Sequence, residues 1–269
     1  MRLHVRHEIE QVFTPAAKGL NQILRLTPRS HEGQHVIAWR LDVDANCRVR
    51  QGEDAYGNIQ HAFTLQGPVE SLRIVAEGEV ETFDTVGVLR DTAERFPPEL
   101  FLRETRLTAA DDGLRAFAAE LPRAEPLATL HALLRAVHET AERDDEAPED
   151  AAAALARRTG AVGGLAHVFV ACARLLGAPA RVARGCHVDS AAQVITPHVW
   201  AEAHVEGVGW IGFDPALGHC PAESHLRVAC GLDALDAAAL RGASVNHAAV
   251  RVTHVVDRGR RARGQSQRQ

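Results

Sequence analysis

The hydrophobic positions change period along the chain. Over residues 1–12 they alternate, with Leu3, Val5 and His7 on one side and Arg2, His4 and Arg6 on the other. A period of two is strand spacing. Alternation returns over 34–44, where Ile37, Trp39, Leu41 and Val43 oppose Val36, Ala38 and Arg40. Between these strands the stretch 24–29 ends in a turn marked by Pro28. Further strands are expected at 46–50, 59–65 and 70–82, with a Gly-Asn turn within 54–58. Residues 1–83 therefore read as a small antiparallel β domain.

After a connector over 84–108, which holds Pro97 and Pro98, the period becomes helical. Asp111 and Asp112 suit a helix start ahead of Leu114, Phe117, Ala118 and Leu121, and Pro122 stops that helix. A second helix is expected over 126–142, with Leu127, Leu130, Leu134 and Val137 on one stripe. The acidic run 142–150 reads as a solvated loop, and 151–158 as a short helix. Gly160, Gly163 and Gly164 then mark a tight turn. Leu165, Val168, Phe169, Cys172, Leu175 and Leu176 follow at helical spacing, which predicts a helix with a broad buried face. Gly177 and Pro179 end it. Strands are expected at 180–188, 198–205, 209–213, 225–231 and 247–256, with a loop over 189–197. The order predicts an α+β fold, in which the buried helix packs on an antiparallel sheet. The expected division is 1–83 for the β domain, 84–256 for the core domain, and 257–269 for a disordered basic tail.

Bulk chemistry narrows the classes. The chain has 269 residues, 46% apolar, with a net charge of −5 and a sequence pI near 6.3. That is a globular composition without the basic excess of a nucleic-acid binder. No run of 18 apolar residues is present, so neither a membrane span nor a membrane partner is expected. The first ten residues read as a strand, so no signal peptide is expected. Cys47, Cys172, Cys186, Cys220 and Cys230 form an odd, scattered set, which points to reduced thiols and the cytoplasm. No Cys-x-x-Cys pair occurs. Cys220 lies near His219 and His225, but that spacing alone does not define a metal site, so no metal and no cofactor are expected.

Three stretches carry the candidate chemistry: the glycine turn running into the buried helix, His198-Val199-Trp200-Ala201-Glu202, and Trp210-Ile211-Gly212-Phe213-Asp214-Pro215. A thiolate is favoured at a helix N-terminus, where the helix dipole lowers its pKa. A histidine then shares its proton, and a carboxylate fixes the imidazole. These stretches, in this order, resemble the core of the transglutaminase-like family, whose fold is shared with papain-like cysteine proteases. Residues 24–29, 54–58 and 75–82 resemble the N-terminal domain of its bacterial members.

The resemblance implies a Cys-His-Asp triad with His198 and Asp214 in two of the roles. The family pattern at the helix start, Gly-Val-Cys-x-Asp-aromatic-Ala-His, lays its cysteine on Val162, its acid on Gly164 and its aromatic on Leu165; Ala166 and His167 match. Trp200 shares the strand face of His198 and is a cleft candidate. Cys172 is ten residues past Val162, about 15 Å along the helix, and lies on the apolar stripe. Cys186, followed by His187, is the candidate replacement nucleophile.

Three readings follow. The first is a non-catalytic homologue that binds a peptide or protein ligand, with a homo-oligomer or pairing with an active relative as open assemblies. The second is an active cysteine-type amide hydrolase or acyltransferase using another nucleophile. The third is water activated by His198 and Asp214.

Overall fold

A computed structural model describes residues 1–122, 125–144, 149–189, 191–192, 194–244 and 249–257, with side chains omitted at 243–244 and 249–257. Four strands open the chain: β1 (Arg2–Thr27), β2 (Gln34–Val43), β3 (Arg50–Glu53) and β4 (Ile59–Thr82). β1 is far longer than the twelve residues its first alternation suggests. β4 merges the two strands expected at 59–65 and 70–82. The β1–β4 ladder shifts register between Val12 and Ala17 and again before Gly19. Pro15 and Pro68 sit in this irregular zone; a proline lacks the N–H a ladder needs but is tolerated at a bulge.

The strand expected at 46–50 is corrected: pairing starts at Arg50, because Ala45 and Cys47 bond locally to Val43 and Ala45 instead of to a neighbouring strand. β3 then turns into β4 through the Gly-Asn loop. Asp54 Oδ1 accepts the amides of Tyr56 and Asn58 at 2.9 and 3.0 Å, and Gly57 takes φ 81°. Apolar side chains including Ile9, Phe13, Leu24, Phe63, Leu72 and Ile74 form the core of this sheet.

The connector is partly ordered into β5 (Val88–Leu89) and a 3-10 turn, Pro98–Leu102. Next come α1 (Asp112–Ala119), α2 (Pro126–Thr140), β6 (Glu142–Arg143), α3 (Ala151–Arg157), β7 (Thr159–Gly160) and α4 (Val162–Leu175). Asp111 caps α1 through the Leu114 amide at 2.8 Å, and Asp150 caps α3 through that of Ala153 at 2.9 Å. Of the expected acidic loop, Glu142 and Arg143 pair in parallel with β7, while 145–148 lie outside the described residues. α4 is buried from Gly163 to Arg174, more completely than one apolar stripe predicts. It sits between α1, α2 and α3 on one side and the second sheet on the other.

That sheet is antiparallel and adds β8 (Ala180–Asp189), β9 (Val194–Val205), β10 (Gly209–Phe213) and β11 (His225–Gly231). Its order is β11-β8-β9-β10-β5. β9 starts four residues before His198, inside the expected 189–197 loop, because Ile195 is buried and joins the seam between the sheets. The chain then returns to its first sheet. β12 (Leu240–Ser244), not anticipated from the sequence, pairs with Leu20–Leu24 of β1, and β13 (Ala249–Asp257) pairs with Arg6–Thr14. Residues 240–257, grouped by sequence with the core, thus have their ladder partner in β1. The basic tail beyond Asp257 lies outside the described residues.

Leu3, Val5 and Val80 of the first sheet pack against Cys186, Val188, Ile195 and Leu226 of the second. The Gly-Asn turn latches onto β11: Asn58 Nδ2 donates to the Cys230 carbonyl at 2.7 Å, and the Cys230 amide donates to Asn58 Oδ1 at 2.8 Å.

Candidate active site

Strand alternation sorts the second sheet into two faces. Val199, Ala201 and Ala203 of β9, with Val182 of β8 and Ile211 and Phe213 of β10, face the helices. Phe213 stacks on Phe169 of α4 with ring centroids 4.9 Å apart. His198, Trp200 and Glu202 occupy the other face. Register places Gly185 opposite His198, Ala183 opposite Trp200, and His187 opposite both Thr196 and His225.

Asp214 follows directly on β10 and is fully buried. Its Oδ2 lies 2.5 Å from His198 Nε2 and 3.1 Å from His225 Nε2. Its Oδ1 accepts the amides of Ala216 and Leu217 at 3.0 and 3.2 Å. Burial alone would raise its pKa. The bonds from His198 and His225 outweigh that and hold the carboxyl far below its usual range. The loop after Asp214 closes on itself through Gly218 N–H to the Asp214 carbonyl and Asp214 N–H to the His219 carbonyl. His138 at the end of α2 bonds the Pro215 carbonyl at 3.0 Å.

So the two expected triad residues do meet, and a second imidazole shares the same oxygen. His225 is the residue that sequence reasoning missed as a partner of Asp214. Eleven residues separate the two, which meet because β11 pairs with β8, setting His225 opposite His187, while Asp214 stands at the end of β10. Trp200 lies beside both imidazoles, 6.2 Å from the His198 ring and 5.4 Å from the His225 ring, centroid to centroid. His187 completes the group at 5.5 Å from His198 and 4.9 Å from His225. Its pKa is pushed down to about 4, by burial first and then by the neighbouring His225 and His198. Three ligand-type atoms, one each from His198, Asp214 and His225, fall within 4.8 Å of one another.

Val162 is the first residue of α4, and Gly164 is buried two residues on. A side chain at Gly163 would meet little, its Cβ lying 3.9 Å from that of Ala234. His167 is a structural histidine. It accepts the Ala234 amide at Nε2 (3.0 Å), which leaves Nδ1 to donate to the Glu149 carbonyl.

Cys186 does not reach His198. It lies opposite Pro197 and Leu226, on the face turned to the first sheet, and is 3% exposed. Burial pushes its thiol up to about 12, and does the same to Cys172. Burial also raises Cys220.

The rest of the His198 face is an ion network. Glu202 bonds Arg181 Nε and Arg227 Nε, each at 2.6 Å, and Arg181 reaches on to Glu94 at 2.7 and 3.0 Å. The Arg181 guanidinium lies 3.8 Å from the Trp210 ring centre. Burial opposes the charge on Glu202, but Arg227 and Arg181 hold its pKa at about 2. The glutamate of the HVWAE stretch therefore ties β8, β9 and β11 together.

Among known proteins, an uncharacterized protein of Mycobacterium leprae is 26% identical over 90% of this chain and 92% of its own length. A solved structure from Cytophaga hutchinsonii, presented as a candidate cysteine protease, superposes with a TM-score of 0.71 at 19% identity, covering 95% of this chain and 90% of that one. At that identity the likeness establishes the fold alone. The periplasmic domain of TgpA from Pseudomonas aeruginosa gives a TM-score of 0.40 at 14% identity, covering 78% of this chain and 87% of that one, too low to carry an argument. Residues 3–81 match the bacterial transglutaminase-like N-terminal region, and residues 115–215 match the transglutaminase-like superfamily. Over these two segments the chain carries the bacterial transglutaminase-like N-terminal region and the transglutaminase-like core.

Proposed function

We propose that this protein is a non-catalytic transglutaminase-like homologue that binds a peptide or protein partner. The observation that carries this reading is Val162 at the helix-start position where the family places its cysteine. A valine offers no lone pair for acyl transfer and no proton to His198. Loss of a covalent nucleophile costs many powers of ten in rate. The buried thiols of Cys186 and Cys172 do not substitute, because the nucleophile must be a thiolate.

Phe83 and Val86, 49% and 80% exposed, support the binding role. They belong to the segment that borders a small cavity shared with Trp200 and His225. Val86 holds φ 55°, a left-handed conformation that a β-branched residue adopts only at a cost of about 1–3 kcal/mol. The five unpaired cysteines support a cytoplasmic site of action. No helix among the described residues is long and apolar enough to cross a membrane.

The test is low-dose iodoacetamide near pH 6, read by intact mass, on the native chain and on Val162→Cys. Fast labelling of only the introduced thiol supports a pseudoenzyme that keeps its activating environment. Fast labelling of a native cysteine overturns the reading and restores the cysteine hydrolase. If neither chain labels quickly, the cleft does not activate thiols, and binding is the remaining role. Val86→Asp should then weaken capture of the partner without changing the melting temperature by more than a few degrees.

A further inference from the structure

We propose that His198, His225 and Asp214 form a binding site for a divalent first-row transition ion such as zinc. The site does not depend on the peptide-binding reading. It departs from the expectation of no metal, which rested on the absence of a cysteine pair.

The donor set is the first argument. Two imidazoles and one carboxylate are the ligands such ions take. All three side chains are at most 2% exposed, and their ligand atoms lie within 4.8 Å of one another. They come from β9, from the loop after β10 and from β11, three elements held in one continuous sheet region. A solvated cluster of acids would lack this convergence.

Geometry is the second argument. With bonds of about 2.0–2.1 Å in a tetrahedral shell, ligand atoms sit roughly 3.3 Å apart. His225 Nε2 and Asp214 Oδ2 are 3.1 Å apart already. His198 Nε2, at 2.5 Å, has to draw back by less than about 1 Å. The ion takes the place of the two imidazole protons shared with Oδ2.

The surroundings are the third argument. Backbone amides of Ala216 and Leu217 fix Asp214 Oδ1, which leaves Oδ2 to serve as the ligand. His225 must then carry its proton on Nδ1, and Ser224 Oγ stands 3.1 Å from that nitrogen as an acceptor. The Ala222 amide, 3.3 Å from the same nitrogen, yields its weak bond in the switch. A cavity of about 40 Å³ beside His225 is large enough for a water to complete the shell.

The experiment uses the full chain, stripped with a chelator and then titrated with zinc chloride against a chromophoric competitor. We expect one zinc ion per chain retained through gel filtration. His225→Gln and Asp214→Asn, checked for folding by circular dichroism, should each weaken it at least tenfold. Equal binding by the native chain and the folded variants would place the ion on surface histidines and overturn the site. Retention of less than about a tenth of an ion per chain would also overturn it. If either variant unfolds, X-ray absorption of the zinc-loaded native chain decides. Two imidazoles and a carboxylate support the site, and fewer than two imidazoles sink it.

Discussion

Cys186 and His198 stand on opposite faces of the same sheet. β8 pairs Cys186 with Pro197 and Gly185 with His198, so the side chains of Cys186 and His198 diverge. The thiol points into the seam with Leu3, Val5 and Val80. Native Cys186 should therefore resist alkylation at pH 7 until the protein unfolds. Cys186→Ser should cost about 1–3 kcal/mol, the penalty for an unpaired buried hydroxyl. Intact mass against urea concentration reads the first outcome and a chemical denaturation midpoint the second. Labelling of Cys186 in the folded state would contradict this placement.

Gly185 sits opposite His198 because nothing larger fits. A Cβ there would lie 1.8 Å from the Leu226 carbonyl oxygen of β11. Relief requires backbone movement between β8 and β11, the two strands that bring His187 and His225 together. Gly185→Ala should cost at least about 3 kcal/mol by overpacking. Thermal melts will read it; a near-native midpoint would mean that β11 is free to shift.

Glu202 is buried between two guanidiniums, of which Arg181 is fully buried and Arg227 keeps 14% of its side-chain surface exposed. Glu202→Ala leaves Arg181, 1% exposed, with Glu94 as its remaining ion-pair partner. Removing one member of such a network should cost about 3–5 kcal/mol. A denaturation series on Glu202→Ala and Glu202→Gln checks it, with the amide variant retaining part of the loss through its hydrogen bonds. A cost below 1 kcal/mol would mean that the arginines find water.

Acid should destabilise the fold in two stages. Burial, helped by Arg227, pushes His31 down to about 4. The unfolded chain, with a histidine pKa near 6.5, then binds more protons than the folded one. Stability therefore falls as pH drops from about 6.5 to 4. Glu202 is held at about 2, so its contribution is complete above the usual carboxylate range and is lost as pH falls from about 4.5 towards 2. Melting temperatures from pH 7.5 to 3 read both stages. His31→Gln should lessen the upper slope but not abolish it, because His187 is also held at about 4; an unchanged slope there would remove His31 from the account.

Much of the architecture was legible because it is locally encoded. Alternation located β1, β2 and β4, and helical spacing with Gly177 and Pro179 located α4. The resemblance carried by the HVWAE and GWIGFDP stretches implied that His198 pairs with Asp214, and the two side chains do meet. Strand lengths were less legible, since Pro15 and Pro68 look like terminators yet sit at bulges within β1 and β4. Side-chain direction relative to a second layer was the other gap. Cys186 and His187 are neighbours in sequence, but the pleat turns one into the seam and the other towards His198 and His225.

The sequence by itself determined the α+β order and the two transglutaminase-like segments, because these depend on residue type and local period. Tertiary structure alone decided that β12 and β13 close onto β1, that Glu202 binds arginines from two other strands, and that His225 meets Asp214. Those are matters of register between distant strands, where a shift of one residue would turn every side chain to the opposite face.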